Sequence, residues 1–350
     1  MHPCFRSNKT KTGSIEIYKH ERLVSDRFVH DKTIFLVTES LSHIGNVTSI
    51  SQSSFGKSID CHGNLMAASC TELRYGLGAA GTPGTASAFV AIYNLNTSSL
   101  RPVQIVSHAL SSSEQSRSFG HCVSINDDYL VVGSPFSSTH GKRGTVYLYK
   151  SGSIGYQYQT FLTGSETSDI YFGSSVEIDH NFNRIVVGNG SLNNTSSKVY
   201  LFESSSIGWT ETKKFYPTKG NDNLFFLPIV PYVNQNNTMD GFGNSVSIYC
   251  SSSNDIKIAV GAPYDRNIKE YSGSLCVRNG AVYVFEKHNC LLNGCTGSYW
   301  SEERLLGDYD NFHSNRFGHC VSIYDRTLAV SSPKYISEYT ASYIKDTLKN

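Results

Sequence analysis

The chain has 350 residues, 39% of them hydrophobic and only 17% charged, with a formal net charge of +1. That balance is too apolar for a disordered chain, and no basic stripe or acidic tail marks it as a nucleic-acid partner. No apolar run reaches the ~18 residues of a transmembrane helix, and the opening MHPCFRSNKT has no apolar stretch behind a basic start. It is therefore not read as a secretory leader, so the chain is expected to be either not secreted, or a fragment or processed form.

Residues 13–18 (GSIEIY) read as a strand and 21–24 as another. Residues 31–40 (DKTIFLVTES) read as a turn and a strand, with a further strand near 46–50, so 28–50 resembles a degraded copy of a unit seen more clearly downstream. The first clear copy opens at Phe55-Gly56, runs through 65–69 and 88–93, and ends in an outer strand near 102–106. The clearest copy occupies 119–150. There Val123 and Ile125 alternate with Ser124, and a turn follows at Asp127 and Asp128. Leu130-Val131-Val132-Gly133-Ser134-Pro135 comes next, and a loop with Gly141 and Gly144 leads into 145–149. Period-two segments bounded by Asn, Asp, Gly and Pro are β-strands joined by turns. Further Phe-Gly starts lie at Phe172, Phe242 and Phe317, giving intervals of 53 to 75 residues. That length suits four strands plus loops rather than a helical or leucine-rich repeat.

The copies agree position by position. Four residues after each Phe stand Ile59, Val123, Val176, Val246 and Val321; six after stand Cys61, Ile125, Ile178, Ile248 and Ile323. Between them come Asp60, Ser124, Glu177, Ser247 and Ser322. The apolar series is expected in the core, Cys61 included. Val132-Gly133, Val187-Gly188, Val260-Gly261 and Val330-Ser331 then place a small residue where packed sheets must approach closely. Cys122 and Cys320 share a position with Ser58, Ser175 and Ser245 and read as small packing residues. Residues 156–162, 209–215 and 300–306 each pair an aromatic with an apolar residue six positions on, as a half-exposed outer strand would.

FGHCVSI…LVVGSP, FGNSVSI…IAVGAPY and their siblings resemble FG-GAP repeats, the blades of integrin α-subunit-type β-propellers, over most of residues 13–333. The resemblance implies an all-β fold, a β-propeller of four-stranded antiparallel blades forming a single domain over 1–350. Units starting near 55, 119, 172, 242 and 317, with the degraded unit 28–50, make six blades; seven is the alternative count. Residues 13–24 are read as the third and fourth strands that complete the last blade. The rival reading takes 341–345 (ASYIK) as that third strand and leaves an incomplete ring. The resemblance further implies a cell-surface or extracellular protein that binds a protein or glycan ligand, without catalysis, through loops on one face.

One departure from the family matters. Its calcium loops, of the type D-x-D/N-x-D-G-x-x-D between the first two strands, give way here to tight turns such as His62-Gly63-Asn64, Asn126-Asp127-Asp128 and Tyr324-Asp325-Arg326. Asp179, Asn181 and Asn183 offer three oxygens at alternate spacing, but Arg184 and Ile185 follow and no closing carboxylate arrives. Calcium takes about 6–8 oxygens, so no cofactor is expected, and the short-turn variety of the repeat is the closer likeness. Of the nine cysteines, Cys290 and Cys295 flank a short turn and are candidates for a disulfide, with the reduced pair as the alternative. No pair has zinc-site spacing.

No nucleophile–base pair stands out. His121 and His319 share a position held elsewhere by Lys57, Ser174 and Asn244, and are expected to face solvent. Asp127 and Asp128 read as turn formers rather than as an acid–base pair. Binding candidates are the long loop 261–280, with Tyr264, Asp265, Arg266, Lys269 and Tyr271, and the apolar segment 223–233 (NLFFLPIVPYV). In the latter, Pro228 and Pro231 forbid a central strand or helix, so Phe225, Phe226, Ile229 and Tyr232 are either an exposed patch or a satellite core. The other function classes are a propeller enzyme or glycan-binding lectin with a central-channel site, and a structural spacer within a larger surface protein. Seven N-x-S/T sequons, at Asn8, Asn46, Asn96, Asn189, Asn193, Asn194 and Asn236, permit secretion without showing it.

Overall fold

The computed structural model describes residues 13–21, 27–36, 47–77, 82–86, 88–107, 119–137, 144–166, 170–190, 197–217, 241–267, 277–278, 280–289, 298–306 and 316–333. Every element among them is a β-strand, and none of them forms a helix long and apolar enough to cross a membrane. The chain divides into two compact units, Met1–Asn183 and Arg184–Asn350.

In the first unit, β1 (Ser14–Glu21) and β2 (Arg27–Phe35) form an antiparallel hairpin with Ile15 opposite Ile34. β3 (Val47–His62), β4 (Leu65–Leu77), β5 (Thr82–Ala86), β6 (Phe89–Asn94) and β7 (Gln104–Ser107) build the first full sheet, in the order β3-β4-β6-β7, with β5 on the far half of β4. β8 (Val123–Ile125), β9 (Tyr129–Ser134), β10 (Thr145–Gly152) and β11 (Gly155–Leu162) form a four-stranded antiparallel meander. β12 (Ser175–Ile178) is the last strand of this unit.

In the second unit β13 (Arg184–Gly188), β14 (Val199–Ser205) and β15 (Gly208–Phe215) pair in succession. β16 (Ser245–Cys250) and β17 (Ile256–Ala262) follow, then a short ladder of β18 (Arg266–Asn267) with β19 (Val277–Arg278). β20 (Ala281–Asn289) and β21 (Ser298–Leu306) complete the four-stranded sheet β16-β17-β20-β21. A last hairpin joins β22 (Val321–Tyr324) to β23 (Thr327–Val330). Four-stranded antiparallel sheets in simple up-and-down order are what propeller blades are made of.

The repeated residues explain why the sheets stack. Phe119 is 1% exposed and lies in one core with Val123, Ile125, Leu130, Val132, Tyr147 and Tyr149, together with Ala67, Val90 and Ile92 of the preceding sheet. Phe242 plays the same part in the second unit, among Val246, Ile248, Val260, Tyr283 and Phe285. Gly120 follows Phe119 at φ +81, a left-handed turn that a side chain adopts only under strain. Gly133, the small residue anticipated after Val132, lies against the next Phe-Gly turn: a Cβ there would fall 2.3 Å from Gly173 O.

The polar residue between the two apolar ones has a definite task, which alternation alone does not reveal. First strands of neighbouring blades are not paired in a ladder, so their outward N–H groups need partners. Ser58 Oγ accepts from Val123 N–H at 3.1 Å, and Asp60 Oδ2 accepts from Ile125 N–H at 2.8 Å. Ser124 Oγ accepts from Ile178 N–H at 3.1 Å. In the second unit Ser245 and Ser247 accept from Val321 and Ile323 N–H, both at 3.0 Å. Side chains stitch one inner strand to the next.

Some expectations change. Residues 27–35 do not open a degraded blade; they pair with β1, and residues 47–50 belong to β3. The pair β1–β2 is a sheet of its own, and its Ile15, Ile34 and Leu36 share one apolar cluster with Phe55, Met66, Phe89 and Tyr93 of the first full sheet. Cys61 is exposed rather than in the core, and Ile59 is 52% exposed. The physical reason is coverage: Val123 and Ile125 have a complete sheet ahead of them, whereas within the first unit the cluster that β3 shares with the hairpin includes Phe55 but neither Ile59 nor Cys61. Cys122 packs as expected, its thiol within 3.2 Å of Gly173 O and pushed by burial up to about 12. Cys320, at the same repeat position, is exposed.

Candidate functional site

Strand direction gives each sheet two ends. A first strand leaves its Phe-Gly turn and the second returns to the loop after Gly-Ser-Pro or Gly-Ala-Pro, so those two segments share one end. The first-to-second and third-to-fourth turns share the other; in the first full sheet Leu95 N–H donates to Asn64 O at 2.7 Å across them.

At the loop end of the first unit, Phe136 follows Ser134-Pro135 and is 60% exposed. Two other rings meet its ring edge-on. His121 lies 6.2 Å away at 87°, and Tyr171 lies 5.4 Å away at 86°. Tyr171, the residue before Phe172-Gly173, sits at φ +62, a region that aromatic residues seldom enter and that marks a position fixed by its surroundings. Burial, followed by the nearby charge of Lys57, lowers the pKa of His121 below its ordinary value. This histidine is therefore partly enclosed rather than fully solvent-facing, and it is neutral at physiological pH; His319 at the equivalent position is exposed.

The sign of the resulting pH dependence is set. The unfolded chain takes up a proton at His121 near pH 6.5, while the folded chain takes it up only at lower pH, so stability falls as pH drops below 6.5. Asparagine already occupies this position at Asn244. His121→Asn is expected to make the melting temperature less sensitive to acidification from pH 7.5 to 5.5 than it is in the parent chain, as followed by circular dichroism.

The second unit repeats the arrangement with different chemistry. Tyr264 follows Ala262-Pro263, and the guanidinium of Arg316 stands over its ring at 5.3 Å. Arg316 precedes Phe317-Gly318 and sits at φ +50, as Tyr171 does at its own site. Asp265 is 5% exposed, and its carboxylate accepts from Tyr283 Oη at 2.6 Å. Its backbone also holds the loop base, donating to Ala262 O at 3.1 Å and accepting from Gly280 N–H at 3.3 Å. Asp265 is thus a fastener for the loop that presents Tyr264. Arg266 lies in β18, paired with Arg278. Lys269, Tyr271, Phe225, Phe226, Ile229, Tyr232, Cys290 and Cys295 lie outside the described residues.

The turn end is built for shape. Asn126 is 1% exposed; its Oδ1 accepts from the N–H groups of Asp128 and Tyr129 at 3.0 and 2.7 Å, and its Nδ2 donates to Asp179 O at 2.9 Å. Asp127 and Asp128 are thus carried on an Asn-capped turn. Asp127 reaches His62 at 3.3 Å, and the His62 ring stacks on His180 at 4.6 Å. The Asp179 carboxylate accepts from the N–H groups of Asn181 and Phe182 at 2.9 and 2.6 Å, and Asn183 Nδ2 donates to Asp128 at 3.2 Å. These oxygens and amides hold the turns in shape and tie neighbouring turns together. Among the described residues no group of three His, Cys, Asp or Glu side chains is placed to hold a metal.

Sequence reasoning passed over Phe136, Tyr171 and Arg316. The signal was positional rather than chemical: each stands just outside the alternating core, one after the Pro of strand two or one before the Phe of the next copy.

A family model for the FG-GAP repeat matches residues 111–149, which contain β8, β9 and the first residues of β10. No curated protein matches the chain.

Proposed function

Because the chain carries an FG-GAP repeat, we propose that it is a non-enzymatic binding or adhesion module of a cell-surface or secreted protein. It takes a protein or glycan ligand on the loops between second and third strands. One observation carries this reading: Phe136, 60% exposed, is in edge-on contact with two other rings, those of His121 and Tyr171. An aromatic ring fixed on a rigid scaffold loses little conformational freedom on binding and supplies a large contact area, the character of a binding hot spot. Tyr264, half-buried with Arg316 over its ring, is a second aromatic ring at the equivalent loop. The repeat family's frequent presence in adhesion proteins supports the surface location.

The test uses wells coated with the purified chain and scored for retention of suspended cultured cells. In parallel, the chain is applied to a printed glycan array. Phe136→Ser with Tyr264→Ser is expected to lower retention or glycan signal at least tenfold, about 1.4 kcal/mol or more, with the melting temperature unchanged. Equal signal from the double variant, or none from the parent chain in either format, would overturn the reading.

A further inference from the structure

We infer that Asn96 is the acceptor of an N-linked glycan. This rests on the surface or secreted location proposed above. N-glycosylation needs an Asn-x-Ser/Thr acceptor at an exposed position of a protein that enters the secretory pathway. Of the seven sequons, Asn96 and Asn189 fall among the described residues, and their surroundings separate them.

Asn96-Thr97-Ser98 sits on the turn after β6, and all three residues are exposed. The turn is organised by its neighbour: Asn94 Oδ1 accepts from Asn96 N–H at 3.0 Å, and Asn94 O accepts from Thr97 Oγ1 at 3.0 Å. Lys32 Nζ donates to Thr97 O at 2.7 Å, fixing the turn from the other side. The Asn96 carboxamide takes no part in these bonds. It projects from a shaped turn with its amide nitrogen free for attachment, and a glycan there displaces no protein contact.

Asn189 is the opposite case. It is 0% exposed, and its Oδ1 accepts from Lys198 N–H at 2.5 Å. A sugar on its amide has no room in the folded unit. An occupied Asn189 is incompatible with the native loop between β13 and β14.

The position also fits the binding reading. Asn96 lies on a third-to-fourth turn, at the end of its sheet away from the Phe-Gly and Gly-Ser-Pro segments. A glycan there covers the turn end and leaves the aromatic loop end open.

The test places a cleavable secretion leader ahead of the chain and expresses it in mammalian cells. Peptides are mapped after enzymatic deglycosylation in heavy-oxygen water, which labels each formerly occupied Asn as Asp. Asn96 is expected to be labelled in most molecules, and Asn189 in none of the folded, secreted fraction. Asn96→Gln should remove one glycan from the intact mass without shifting the melting temperature. An unlabelled Asn96, whether the chain is secreted or retained in the cells, would overturn the inference, as would labelling at Asn189 in folded protein. Because the leader forces entry into the pathway, failure here is distinct from failure of cell or glycan binding, which reads a different surface.

Discussion

Replacing Gly133 by valine will destabilise the first unit by about 3 kcal/mol or more. The first added carbon alone would stand 2.3 Å from Gly173 O and 2.4 Å from Cys122 Sγ. Neither neighbour can withdraw. Gly173 is held at φ +86 in the Phe-Gly turn, with Val146 and Thr145 O close on its other side, and Cys122 is committed to Gly173 O. The inserted volume must therefore separate β9 from the next blade's turn. Urea unfolding of the purified variant measures the loss. Gly152→Ala is the control, since its Cβ would meet only Gly155 O at 3.8 Å, and it should change stability by less than about 0.5 kcal/mol. A loss below ~1 kcal/mol for Gly133→Val would mean that the sheets are not in the close contact described.

The second large effect is expected at Phe242. The ring is 0% exposed and stands edge-on to Tyr283 at 5.2 Å and to Phe285 at 6.2 Å, with Val246 and Ile248 in the same cluster. Phe242→Ala removes the buried ring and leaves a cavity between strands that are held by their own ladders and cannot close on it. The cost is about 3–5 kcal/mol. Phe28→Ala is the matched control: its ring is 71% exposed, and truncation should lie within about 0.5 kcal/mol of the parent chain. If the two variants unfold at the same urea concentration, Phe242 is not a core residue.

Most of the framework was legible because the second and third strands, buried on both faces, read as short apolar runs bounded by turns, while outer strands such as β11 and β15 expose much of their length. The outer strands expected at 156–162, 209–215 and 300–306 correspond to β11, β15 and β21 within a few residues. The small residue after Val132 and after Val260 does lie against the next turn. The hairpin at the start was misread because strand residues such as 31–35 satisfy a second-strand and a fourth-strand pattern equally well; only the partner, β1, decides. Cys61 was misplaced for a related reason: alternation says which face a side chain takes, not whether anything covers that face. The binding ring was invisible for a third reason. Phe136 and Tyr171 come together from loops 35 residues apart in sequence, and nothing in either local pattern points to the other.

The stitching of inner strands has a direction. In every pair within a unit the earlier strand supplies the side-chain oxygen and the later one the backbone N–H, from Ser58 and Asp60 to Val123 and Ile125, from Ser124 to Ile178, and from Ser245 and Ser247 to Val321 and Ile323. The array is therefore vectorial. A blade leaving the ribosome finds its acceptors already in place on the one made before it. Loss of a leading blade orphans buried amides in its successor, at about 1–3 kcal/mol each. Loss of a trailing blade opens the shared apolar core as well, but among these bonds it returns only serine hydroxyls and a carboxylate to water and leaves no backbone amide of the leading strand without its partner.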